Sequence, residues 1–154
     1  MEHSSKNLLL VSEIELVYKP KIKASERLKL CSSNEVYKTL LNSWDDNNIE
    51  LYEQFKIILL NKNNKVLGIV PISRGGINAT LVDLRLIFAT ACKANATNII
   101  LAHNHPSGNL QPSQQDIQLT KKIVAAGEIL EIRVIDHLII TKEGFKSFSD
   151  EGWM

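Results

Sequence analysis

Cysteine is scarce in this chain of 154 residues: only Cys31 and Cys92 occur, far apart and outside any ligand-like spacing. That excludes a disulfide scaffold, and reduced thiols that join the packing of a cytoplasmic protein are the expectation. Long apolar runs are missing too, so no segment suits a transmembrane helix. Residues 1–6 are polar, and the short run Leu8, Leu9, Leu10, Val11 ends at Ser12 and Glu13, too soon for a secretory signal. A cytoplasmic location with no membrane partner is expected. An excess of one charge is also absent. The 18 basic and 17 acidic residues leave +1, which gives no support for a strong electrostatic footprint on nucleic acid. Internal repeats and low-complexity linkers are lacking. What remains is 44% apolar and 23% charged, the balance of one globular domain able to bury a core without disulfides.

Patterning divides the chain into an N-terminal extension, 1–34, and a domain, 35–154. In the extension, residues 13–18 alternate charged and apolar side chains as a half-exposed strand does, until Pro20 breaks the pattern. Ser32 with Glu35 resembles a capping box, and Val36, Leu40 and Leu41 supply a helical stripe that ends near Trp44. Residues 53–60 and 66–72 read as strands of a hairpin joined by the polar turn 61–64. Gly75 and Gly76 make a break, after which Asp83 can cap a helix that turns Leu84, Ile87, Phe88 and Ala91 to the core. Residues 98–102 form a short apolar strand. Ser113 opens a helix with Ile117, Thr120 and Val124 on one face and Gly127 as its stop. Residues 133–140, rich in β-branched side chains, read as a further strand before a turn at 141–144. From about residue 50 onward, helices and strands alternate, so an α/β sheet with helices packed on its faces is expected.

The chemistry lies in HNHPSGNLQPSQQD, residues 103–116, which fits H-x-H-x7-S-x2-D. Residues two apart in a strand point to the same side, so His103 and His105 can aim at one point. Pro106, Ser107 and Gly108 turn the chain, with Gly108 free to take a positive φ. Asp116 then falls in the first turn of a helix, where it can complete a three-ligand set. Two neutral imidazoles and a carboxylate suit Zn2+, one per chain, and three protein ligands leave a position open for water, as in catalytic sites. A zinc ion can lower that water's pKa to around 7. Ser113, one helical turn before Asp116, is placed to donate its hydroxyl to a developing oxyanion. The missing base is assigned to Glu53, a charge on the same strand face as Phe55, Ile57 and Leu59. Glu50 is its nearest rival; Glu128 and Glu131 fall at the far end of the helix that starts at the site.

Plainer readings exist for each piece. Ser113 and Asp116 alone make a capping box of a common kind, and alternating histidines can be surface or hydrogen-bonded groups. All four in register at a strand–loop–helix junction are hard to reconcile with either. His137 reads as a packed or hydrogen-bonded histidine, not a fourth ligand, and Arg74 as an exposed loop arginine rather than a contact for a substrate carboxylate. A deaminase would need H-x-E with P-C-x-x-C, and a two-metal nuclease a cluster of carboxylates; neither pattern is present.

These residues resemble the JAMM motif of the JAB/MPN metalloprotease superfamily and, more narrowly, the RadC family of bacterial proteins. The narrower likeness rests on SRGGINATLVD (73–83), LAHNHPSGNLQPSQQD (101–116) and IDHLII (135–140), and runs from about residue 35 onward. It implies a mixed β-sheet flanked by helices in a cytidine-deaminase-like arrangement. It also implies zinc at His103, His105 and Asp116, a glutamate matching Glu53, and a motif serine at Ser113. Asn104 stands where most JAMM peptidases carry Ser or Thr, as is usual in RadC-like members. Longer RadC proteins have a helix-hairpin-helix region associated with DNA, which the first fifty residues here do not resemble, so a short form is expected. The resemblance thus implies a zinc metallopeptidase acting on a peptide or isopeptide bond. The alternative is an accessory protein of DNA repair or recombination, with DNA as partner and a metal-binding but weakly active domain.

Overall fold

The computed structural model describes residue 12, residues 14–75 and residues 81–154. In chain order the elements are α1 (Ser33–Ser43), β1 (Gln54–Leu60), β2 (Val66–Arg74), α2 (Leu84–Lys93), β3 (Asn98–Asn104), α3 (Gln114–Ile129), β4 (Arg133–Ile140), β5 (Phe145–Ser147) and α4 (Phe148–Glu151). The strands form one mixed sheet in the order β2-β1-β3-β4-β5, in which only β3 and β4 run parallel. Among the described residues, no helix is long and apolar enough to cross a membrane.

Both faces of the central strands are apolar, and each is covered. On one face Phe55, Ile57 and Leu59 of β1 and Ile99 and Leu101 of β3 pack with Ile87, Phe88 and Ala91 of α2 and Ile123 of α3. On the other, Ile58 and Leu60 with Ile100, Ala102, Leu138 and Ile140 meet Val36 and Leu40 of α1. This explains why these strands read as continuous hydrophobic runs. Each such fully buried Ile or Leu contributes roughly 1.5–3 kcal/mol relative to exposure, so the central strands are the rigid part of the scaffold.

Local signals set the helix starts. Ser32 caps α1 by accepting from the Glu35 backbone N–H, while the Glu35 carboxylate reaches back to the Cys31 N–H. Asp83 caps α2 by accepting from Arg85 N–H. At Ser113 the capping box is complete, since its hydroxyl accepts from Asp116 N–H and its own N–H donates to the Asp116 carboxylate at 2.7 Å.

Several expectations are corrected. Residues 14–18 form no strand; their apolar members are exposed, Ile14 at 93%, and Tyr18 meets the edge strand β2 through its side-chain hydroxyl on the Leu67 carbonyl rather than through a backbone ladder. Residue 13 and residues 76–80 lie outside the described residues. Cys31 and Cys92 are exposed rather than part of the packing. β5 and the short α4 escaped notice in the sequence because each is only three or four residues long.

Gly127 does not stop α3. It is buried within the helix, which continues to Ile129 and closes with Ile132 N–H on Gly127 O and Glu131 N–H on Glu128 O, with Glu131 at φ 57°. That is a Schellman closure with a non-glycine residue in the left-handed position. The need for glycine arises at 127, where a Cβ would stand 2.4 Å from the Ile132 carbonyl oxygen. Gly127→Ala should therefore cost on the order of 1 kcal/mol or more through overpacking, despite alanine's better helix propensity. Urea unfolding checks this, and a midpoint at or above that of the parent chain would contradict the packing.

Candidate metal centre

Strand pairing assembles the site. β1 and β3 are antiparallel with Phe55 opposite His103, so the start of one strand lies beside the end of the other. Continuing that register by two places sets Glu53, just before β1, against His105, just after β3. His105 is held there by its N–H on the Ile140 carbonyl, and the turn that follows uses Gly108 at φ 82°, with its N–H on His105 O. The chain then returns to Ser113 and α3, whose first turn carries Asp116.

The side chains converge. His103 Nε2 and His105 Nε2 are 3.0 Å apart. Asp116 places Oδ1 3.4 Å from His103 Nε2 and Oδ2 3.6 Å from His105 Nε2. Glu53 Oε1 stands 4.0 Å from His105 Nε2. Glu53, His103 and His105 each offer a ligand atom, all within 4.8 Å of one another, a group that could hold a metal ion. His103 is buried, while Glu53, His105 and Asp116 keep 15–18% of their side-chain surface exposed. They open onto a cleft of about 700 Å³ with Phe55, Val82 and Leu119 on its wall and Ser113 at its edge.

Electrostatics favour a cation here. Burial pushes the Asp116 carboxyl up, but the facing His103 and His105 rings outweigh this and hold it far below the ordinary carboxylate range. Burial also lowers His105, yet Asp116, the Asn109 carbonyl and the Glu53 charge raise it overall. An environment that favours a proton at His105 Nε2 also favours a metal ion in its place. His105 Nδ1 donates to the Asn109 carbonyl at 2.6 Å, which leaves Nε2 as the ligating nitrogen. Imidazole nitrogens with carboxylate oxygens form a donor set that fits a zinc-type ion.

Other candidates lie elsewhere. Glu50 is exposed and 3.9 Å from Lys142, and Glu128 and Glu131 are exposed at the far end of α3. Arg74 stacks its guanidinium over the Tyr52 ring at 3.9 Å, outside the cleft lining. His137 is fully buried and hydrogen-bonded to His103 and Thr120.

Asn104, between the histidines, has a role its motif position did not disclose. It faces the opposite side of the sheet and is fully buried. Its Nδ2 donates to the Ile49 carbonyl at 2.6 Å and the Tyr52 carbonyl at 2.7 Å, and its Oδ1 accepts from Gln54 N–H at 2.7 Å. One amide thus clamps both sides of Glu53. Only the amide's mixed donor and acceptor character could have hinted at this.

A family model described as RadC-like JAB domain matches residues 30–153. A UPF0758 protein of Flavobacterium johnsoniae is 52% identical over 101 residues, which cover 66% of this chain and 44% of that protein. A UPF0758 protein of Symbiobacterium thermophilum is 40% identical over 126 residues, 82% of this chain and 53% of its own. One from Clostridium botulinum (strain Alaska E43 / Type E3) is 34% identical over 153 residues, 99% of this chain and 66% of its own. The chain spans about half the length of the first two of these relatives.

Asn104→Ala would leave the Ile49 and Tyr52 carbonyls and Gln54 N–H without their partner. Each unsatisfied buried group costs about 1–3 kcal/mol, so a loss of at least about 2 kcal/mol is expected in urea unfolding. A loss below about 0.5 kcal/mol would contradict the clamp.

Proposed function

Because the chain belongs to the RadC-like JAB domain family, we propose that it is a metallohydrolase, and specifically a zinc peptidase or isopeptidase. The observation that carries this reading is the meeting of two imidazole Nε2 atoms with two separate carboxylates at the floor of one cleft. With His103, His105 and Asp116 as three ligands, Glu53 is not needed to close the shell, and a hydrolytic site uses such a carboxylate as its base.

The two acids divide by position. Asp116 presents one oxygen to each imidazole and is anchored by the Ser113 N–H, which suits a ligand. Zinc held by His103, His105 and Asp116 would supply Lewis acidity and make water nucleophilic near neutral pH. Glu53, 4.0 Å from His105 Nε2 on the strand side of the cleft, suits the proton carrier. It takes the proton from the attacking water and returns it to the leaving amine. Ser113 Oγ accepts from Asp116 N–H, so its own proton is free to stabilise an oxyanion in the cleft. Its capping role and this one are compatible. A cleft with apolar walls and a polar floor supports a peptide segment as the substrate class.

Two variants separate binding from chemistry. Glu53→Gln should keep stoichiometric zinc and lose roughly 10²- to 10⁴-fold in hydrolysis of a peptide or isopeptide library. His105→Ala should lose the metal itself, measured by elemental analysis after gentle purification. Undiminished hydrolysis by Glu53→Gln would remove Glu53 from the mechanism, and full zinc retention by His105→Ala would move the ion elsewhere.

A further inference from the structure

Behind His103, on the side of the ring away from the cleft, runs a polar chain that the proposed chemistry does not use. His103 Nδ1 lies 2.8 Å from His137 Nε2, and His137 Nδ1 lies 2.6 Å from Thr120 Oγ1. Thr120 Oγ1 in turn lies 2.6 Å from the backbone oxygen of Asp116. These side chains are 2%, 0% and 1% exposed for His103, His137 and Thr120. Phe148 stacks on the His137 ring at 4.5 Å and Phe55 meets it edgewise at 5.6 Å. Apolar walls of this kind keep the His137 ring uncharged.

With the His103 and His137 rings neutral, proton placement along the chain has one solution. A backbone carbonyl can only accept, so the single Thr120 hydroxyl proton goes to Asp116 O. Thr120 Oγ1 must therefore accept, and His137 carries its proton on Nδ1. The bare His137 Nε2 must accept in its turn, so His103 carries its proton on Nδ1. This leaves His103 Nε2 as a lone pair facing His105 Nε2, which the Asn109 carbonyl has bared in the same way. The two Nε2 atoms stand 3.0 Å apart, and with both bare a shared cation, a proton or a metal ion, relieves their repulsion.

We propose that Thr120 and His137 are positioning residues that lock His103 in its Nδ1–H tautomer and so dedicate its Nε2 to a metal ion. Both His137 nitrogens are consumed by this role, so His137 is not a ligand. The same chain ties the His103 ring on β3 to the backbone of Asp116 on α3, and thus holds two proposed ligands from different elements in one hydrogen-bonded unit. The inference rests on the metal-centre reading above.

Long-range 1H–15N correlation spectra of the full chain, with 15N-labelled histidine, read the tautomers directly at pH 8. Zinc-free parent chain should show both His103 and His137 protonated at Nδ1, and adding zinc should shift the His103 Nε2 resonance while leaving His137 without a ligand signature. His137→Phe keeps a ring against Phe148 but removes the acceptor, so it should mix the His103 tautomers and weaken zinc binding roughly 10- to 100-fold. Thr120→Val, equal in shape and without the hydroxyl, should weaken it in the same direction, and needs no change at His137. A His103 proton on Nε2 in the zinc-free parent, a metal-ligand signature at His137, or zinc affinity within twofold of the parent in both variants would overturn the proposal. Failure of the parent chain to take up zinc would instead refute the metal reading, and the zinc-free spectrum would still report the tautomer.

Discussion

The antiparallel pairing of β1 with β3 is the constraint on which the site depends. With Phe55 opposite His103, the residue two before Phe55 and the residue two after His103 must meet at the same end of the sheet. Those residues are Glu53 and His105. The pairing is secured by the continuous buried run from Ile57 to Leu60 against Ile99 to Ala102. A one-residue slip of β3 would exchange its two packed faces and turn His103 away from the cleft. The geometry of the site thus inherits its precision from core packing rather than from the loops.

α3 completes the arrangement from the other side. Its capping box fixes Asp116 in the first turn, where the positive end of the helix dipole favours a carboxylate. Its buried Ile123 and the close seat of Gly127 on the Ile132 carbonyl hold the helix against the sheet. The hydroxyl of Thr120 then joins that helix to the buried histidines of β3 and β4. One helix therefore contributes a proposed ligand, a cap and a hydrogen-bond link, and each depends on the helix keeping its register on the sheet.

Much of this was legible in the sequence wherever the physics is local. Strand parity placed Glu53 on the face of Phe55, Ile57 and Leu59 and set His103 and His105 on one side of their strand, and the S-x-x-D spacing located the start of α3. Gly108 takes the positive φ that its place in the tight turn suggested. What escaped was non-local. The order of strands in the sheet is not written in any one segment, so the meeting of Glu53 with His105 could only be inferred from chemistry. Asn104 and the His137–Thr120 pair act through partners 17 to 55 positions away, which no periodicity reveals. The alternation in residues 13–18 misled because alternation alone does not bury a face: Ile14 and Leu16 stay exposed. Gly127 misled because glycine ends helices often, while here it permits a close backbone approach.

We propose that one divalent ion sits between His103, His105 and Asp116 with room for a solvent molecule. The zinc K-edge absorption spectrum of the loaded chain tests it most directly. It should resolve two imidazole nitrogens at about 2.0–2.1 Å together with oxygen ligands at about 2.0–2.2 Å. A shell containing sulfur from Cys31 or Cys92, or one without the paired imidazoles, would contradict it.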